Sequence, residues 1–251
     1  MFVLVFLFVN ALVVAFSLSQ DFVPSDVGDA FVKLREVAEY ADQRLQAAAT
    51  SADLPDPPPI LADQYTLRLA LLATLVSQAL IFGIVGIGAK QDFLSLMRIL
   101  KLNRYAWWGV WRPAVAVIGA YLGVALYVYI ARQFLPDLLV PRSTVPTEIV
   151  RDDSTLAIAA VVTVFGAPFT EELFFRGFVF SGLLKWGFWP AAAISALLFT
   201  LVHFDPGSII PFFGIGILMA WLFHSRGSLW DAVLFHFLFN FTSFLILVAS
   251  S

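Results

Sequence analysis

Apolar runs long enough to cross a bilayer alternate with short polar breaks along most of the chain, and one long polar stretch interrupts them early. Met1 to Phe16 is apolar apart from Asn10. With the polar residues after it, this run is just long enough for an uncleaved first helix, the reading favoured here; the alternative is a signal peptide cut near Ser17-Leu18-Ser19, though no Lys or Arg precedes it. Between Asp21 and Gln64, Val27, Phe31, Leu34, Val37, Ala41, Leu45 and Ala48 recur at spacings of three and four, so one amphipathic helix is expected, with Ser25 or Asp26 as N-cap. Leu54-Pro55-Asp56-Pro57-Pro58-Pro59 ends it as a stiff linker. A surface helix is the plain reading, and a lid over a membrane site the sharper one.

Spanning helices are expected over Leu69 to Ala89 and Pro113 to Ile130, followed by a Pro-containing loop from Gln133 to Ser154. Thr155 to Leu184 is one apolar helix of about 45 Å at 1.5 Å per residue, so it must tilt, protrude or bend, and Gly166 and Pro168 supply a bend. Three more helices follow, from Trp189 to Phe204, Ile209 to Phe223 and Leu229 to Val248. Turns at Lys185-Trp186-Gly187, Asp205-Pro206-Gly207 and Ser225-Arg226-Gly227 divide them. Ser228 and Asp231 have capping-box spacing at the start of the last. The expected fold is an all-α polytopic membrane bundle of about seven transmembrane helices with one extramembrane amphipathic helix. It divides into residues 1–19, 20–65, 66–154 and 155–251.

Composition agrees: 60% of the 251 residues are hydrophobic, 13% are charged, and mean hydropathy is +0.87. The chain is therefore expected to be an integral, multi-pass membrane protein, of the cell membrane if prokaryotic. A net charge of -3 gives no reason to expect a nucleic-acid partner, and the absence of cysteine excludes disulfides and thiolate chemistry. Lys90, Arg98, Lys101 and Arg104 face only Asp92, which puts that loop on the cytoplasmic side. Trp107, Trp108 and Trp111 beside it read as an interfacial belt.

Against this background Glu171, Glu172 and Arg176 are costly, since an ionisable group at a membrane helix centre costs about 2.5 to 3.5 kcal/mol on insertion scales. Glu172 and Arg176, four apart, can pair on one helix face, leaving Glu171 as a general base. The plainer alternative is a buried ion-pair network or a transport gate. Phe199 and His203 are four apart on the next apolar segment; a histidine there is more often packing than chemistry, but a hairpin about Lys185 to Gly187 puts Glu171 and His203 at matching depth, about 23 to 25 Å from the turn. His236 and Asn240 share one face of the last helix, either as two neutral donors for an oxyanion or as interhelical polar contacts. Straight-helix counting leaves His236 about 10 Å off the Glu171 level. His224, near a helix end beside Arg226, suits the macrodipole and is assigned no chemistry.

Glu-Glu-x-x-x-Arg at 171–176, Phe-x-x-x-His at 199–203 and His-x-x-x-Asn at 236–240 resemble the three ordered motifs of the CAAX-processing and bacteriocin-processing (CPBP, or Abi) intramembrane protease family, to which the Ras-converting prenyl protease is related. The resemblance covers about Ala157 to Leu247. It implies a membrane-embedded endopeptidase acting on a membrane protein or lipidated peptide within the lipid bilayer, with CAAX-type C-terminal processing as one form of that activity. Glu171 would activate water with help from His203, His236 and Asn240 would stabilise the oxyanion, and Glu172, Arg176 and Phe199 would support the site. No cofactor is expected. Zinc on Glu171, His203 and His236 is the alternative, disfavoured by the nearby Arg176 and by the lack of a His-Glu-x-x-His pair. A non-catalytic scaffold of the same fold and a proton-coupled transporter are the competing functions, the latter weakened by the missing inverted repeat.

Overall fold

The structure is a computed structural model. It describes Glu39, Gln43 and Gln46 and, from Gln64 to Ala249, all residues except 91, 101, 103–106, 135–138, 142–146 and 204. The expected first helix lies outside the described residues. Of the amphipathic helix, Glu39, Gln43 and Gln46 are described; all three are helical and exposed, as its polar face requires.

The described chain is an all-α membrane bundle. Its helices are α1 (Gln64–Ala89), the short α2 (Phe93–Ile99), α3 (Trp111–Phe134), α4 (Asp153–Trp186), α5 (Phe188–Leu201), α6 (Ile209–Arg226) and α7 (Leu229–Ala249). Five segments are long and apolar enough to cross a membrane: residues 70–87 of α1, α3, α4, Pro206–Arg226, which includes α6, and α7. The protein is thus integral and multi-pass. α5 differs from expectation. It has 14 residues and is too short to span, because the chain leaves helical geometry at Val202 and His203, ahead of the Asp205-Pro206-Gly207 turn. That turn is held by Asp205, whose carboxylate accepts from Gly207 N–H and Ser208 Oγ.

α4 is continuous over 34 residues but not uniform. It widens into π geometry at Val161–Gly166 and again at Leu173–Phe180. Pro168 has no N–H to give an α-helical bond to Val164, so the strain expected at Gly166 and Pro168 is taken up by the wider turn just before the proline. A π turn also winds more residues into each unit of length, which draws Glu171 towards the Lys185 end.

The expected glycine turns form, with Gly187 at φ 97 and Gly227 at φ 64, both left-handed positions that side chains resist. The expected capping box does not. Ser228 Oγ is buried with no hydrogen-bond partner, and Asp231 instead receives Arg226 Nη1 at 3.4 Å. Fixing the Arg226 end of α6 takes the carboxylate that would have closed the box.

α5 packs along α6, α7 packs on α6 and α3, and α1 lies along α4. Small residues set the α5–α6 approach: a Cβ on Gly216 would stand 2.7 Å from Ala196 Cβ. Lys90, Arg98, Arg112, Lys185 and Arg226 fall at one end of the bundle, with Arg68, Arg132 and Arg151 at the other. Arg226 lies over the exposed Trp108 ring at 4.9 Å, and Leu229 N–H donates to Leu100 at 3.1 Å, which ties the loop after α2 to the start of α7. Trp108 and Trp111 are exposed there, in keeping with an interfacial belt.

At the other end Asp152 caps α4 by accepting from Thr155 N–H at 2.8 Å and from its hydroxyl at 2.9 Å. The backbone N–H first, then the hydroxyl, holds the Asp152 carboxyl below its ordinary value of 3.8. Because the folded value is the lower one, this stabilisation is complete above pH 3.8 and is lost as pH falls through the folded value. Asp152→Ala should therefore lower the melting temperature in detergent at neutral pH, with the gap from wild type closing in acid, whereas Asp152→Asn, which still caps, should lose little.

Candidate active site

The three sequence motifs meet between α4, α5 and α7. Glu172 and Arg176, on the second π segment and the turn before it, are both 0% exposed. Arg176 Nη1 donates to Glu172 Oε1 at 2.9 Å, and Arg176 Nη2 donates to the Gly216 carbonyl at 3.2 Å. The guanidinium also lies 4.6 Å from the centre of the Phe199 ring. Charge, carbonyl and π face offset much of the cost of burying this cation, although its Nε has no hydrogen-bond partner.

His236 enters from α7 and places Nδ1 2.9 Å from the same Glu172 oxygen. The counted gap of about 10 Å is thus closed, in the direction that the π turns of α4 favour. The contact fixes a tautomer. A carboxylate paired with arginine only accepts, so His236 Nδ1 carries the proton and Nε2 is left as the outward nitrogen. This changes the expected role: a neutral His236 has no second N–H to offer an oxyanion, and only the imidazolium donates from Nε2. Asn240, one turn on, donates Nδ2 to the Thr163 carbonyl at 2.8 Å in the first π segment. One amide N–H is committed there, leaving its second.

His203 lies in the turn just past α5, not within the helix expected for it. Its Nδ1 is 2.7 Å from the Phe199 carbonyl, which can only accept, so here too the proton is on Nδ1 and the Nε2 lone pair is open. Phe199 sits among these groups, with ring centres 4.8 Å from His203 and 5.8 Å from His236. Phe212 from α6 backs His203 at 4.7 Å. That aromatic contact was not foreseen; nothing in its own sequence context separates Phe212 from the other phenylalanines.

Glu171 is different from its neighbour. It is half-buried, it lies within electrostatic reach of both His203 and Arg176, and its Oε2 is enclosed with no hydrogen-bond partner in the protein. Glu172 Oε1 is engaged by both Arg176 and His236, although Glu172 Oε2, like Glu171 Oε2, has no hydrogen-bond partner. Among the described residues no three His, Asp or Glu side chains are grouped closely enough to hold a metal ion.

Another residue that sequence reasoning missed is Gln78 of α1. Only 6% exposed, it donates Nε2 to the Val162 carbonyl at 3.1 Å, so that Gln78 and Asn240 grip adjacent carbonyls of one π segment from two helices. Gly166 makes room, since a Cβ there would lie 2.2 Å from Gln78 Oε1. A buried glutamine in an apolar span was the available signal.

Residues 153–242 match a family model described as Rce1-like, the type II CAAX prenyl endopeptidase Rce1-like family. The resemblance carried by the three motifs is borne out over that stretch, which lies within a multi-pass membrane bundle. No curated protein and no solved structure matches the chain.

Removing one partner from the buried pair should be severe. Arg176→Met strands the Glu172 charge and should cost about 3 to 5 kcal/mol of stability, read as thermal or denaturant unfolding in detergent. Adding Glu172→Gln to it should recover much of that loss.

Proposed function

We propose that this protein is an intramembrane endopeptidase in which Glu171 activates the attacking water. The observation that carries this reading is the division between adjacent glutamates: Glu172 is fully buried with Oε1 held by both Arg176 and His236, while Glu171 is only half-buried, lies within electrostatic reach of His203 and is hydrogen-bonded to neither Arg176 nor His236. The Rce1-like match supports the reaction class.

In this mechanism a water between Glu171 and His203 gives its proton to the carboxylate while its oxygen bonds to the scissile carbonyl carbon. His203 Nε2, the free lone pair, holds that water in line. The carbonyl π electrons move to oxygen, and the resulting oxyanion accepts from the second Asn240 N–H and from Nε2–H of a protonated His236. Glu172 supports the imidazolium through Nδ1. Collapse of the intermediate breaks the C–N bond, and the leaving amine takes the proton held by Glu171. Phe199 keeps the imidazoles and Arg176 in register.

The substrate class is a membrane-associated polypeptide. A prenylated C-terminal CAAX tail is the specific candidate, since the matching family's description names that activity. Glu171→Ala should abolish cleavage while leaving insertion and unfolding temperature near wild type. Mapping new C-termini in membrane proteins from cells carrying either form should find termini made only by the wild type; identical sets overturn the proposal. A farnesylated CAAX peptide offered to the reconstituted protein decides the narrower substrate. Asn240→Ala should slow turnover by roughly 100- to 1,000-fold, and chelators should leave activity intact, whereas loss on chelation with rescue by zinc would replace the glutamate mechanism.

A further inference from the structure

At the basic end of the bundle, away from Glu171, α5 and α6 leave an apolar groove of about 530 Å³. Its α6 wall is Gly214, Ile217, Leu218 and Trp221, one stripe at spacings of three and four; Phe188 and Trp189 of α5 form the other wall, and His224 stands at the mouth. Gly214 is what opens it. A Cβ at that position would meet no atom within 4 Å, so the glycine serves no close helix contact, in contrast to Gly216 two residues on. The groove faces outward, with Trp189 71% and Trp221 45% exposed.

We propose that this groove binds an anionic phospholipid of the leaflet on the basic side, with an acyl chain along Gly214, Ile217 and Leu218 and the phosphate at the mouth. The lower part is a hydrocarbon surface, and the upper part is cationic and aromatic. The Arg112 guanidinium lies 5.2 Å from the centre of the Trp221 ring, within reach of a headgroup over that indole. Lys185 is exposed in the turn just before Phe188, and His224 offers a ring N–H whether or not it is charged. Arg226 belongs to a different contact, since it is engaged with Asp231 and Trp108. The carbonyl end of α6 would by itself repel a phosphate. The start of α5, where Gly187 provides no side-chain cap for the first N–H groups, offsets it. Tryptophans at both walls complete a site that is apolar along its length and cationic and aromatic at one end, as an anionic phospholipid requires.

The test uses the full chain reconstituted in phosphatidylcholine vesicles, with tryptophan quenching by phospholipids brominated on the acyl chain. Brominated phosphatidylglycerol is expected to reach half-maximal quenching at about one-fifth the mole fraction needed for brominated phosphatidylcholine. Gly214→Leu fills the groove and leaves every charge in place, so it should raise the phosphatidylglycerol requirement to the phosphatidylcholine level with unfolding temperature unchanged. Arg112→Gln should remove headgroup preference while phosphatidylcholine quenching persists. Equal quenching by the two lipids in the wild type overturns the proposal. So does a preference that survives in Gly214→Leu, which would reflect general attraction to the basic end and not this groove. Cleavage is not read, so the outcome is independent of the catalytic assignment.

Discussion

The fully buried Glu172–Arg176 pair is the constraint around which the rest of the core is arranged. Two charges in a lipid-embedded interior persist only if nearly every contact is favourable, and the surrounding residues read as answers to that demand. Gly216 lets α6 come close enough for its carbonyl to receive the guanidinium, Phe199 offers a ring face, and His236 shares the carboxylate. Each of these comes from a different helix, so satisfying the pair also fixes how α4, α5, α6 and α7 meet.

That same arrangement separates two chemically identical side chains. Glu171 and Glu172 are neighbours in sequence, and a helical turn of about 100° sends one into the arginine cluster and the other towards His203. Burial and pairing engage Glu172, and Glu171 is left half-buried within electrostatic reach of His203. The two histidines are likewise set by what their Nδ1 atoms touch, a carbonyl for His203 and a carboxylate for His236.

The π segments of α4 connect fold to site. They appear on either side of the Glu171–Glu172 turn, and the first is held from outside by two amides, Gln78 and Asn240. Gln78 belongs to α1, which lies outside residues 153–242. The residues before the matched domain are therefore not a mere preface to it; at least one of them supports the helix that carries the carboxylates.

The class of fold was legible in the sequence, and so were the residues of the candidate site as a group. Apolar runs, glycine turns and the cost of charge in lipid are local properties, and they sufficed to mark the Gly187 and Gly227 turns, the seven polar and aromatic residues that converge, and the long helices from α1 onward, though not the short α2. Tertiary structure decided what those residues do to one another. It moved His203 off the end of a helix that was expected to continue, drew Asp231 to Arg226 and away from Ser228, turned His236 from a free donor into the partner of Glu172, and added Gln78. Each of these depends on a group brought in from a distant helix, and spacing along one chain segment carries no information about which neighbour will arrive at its face.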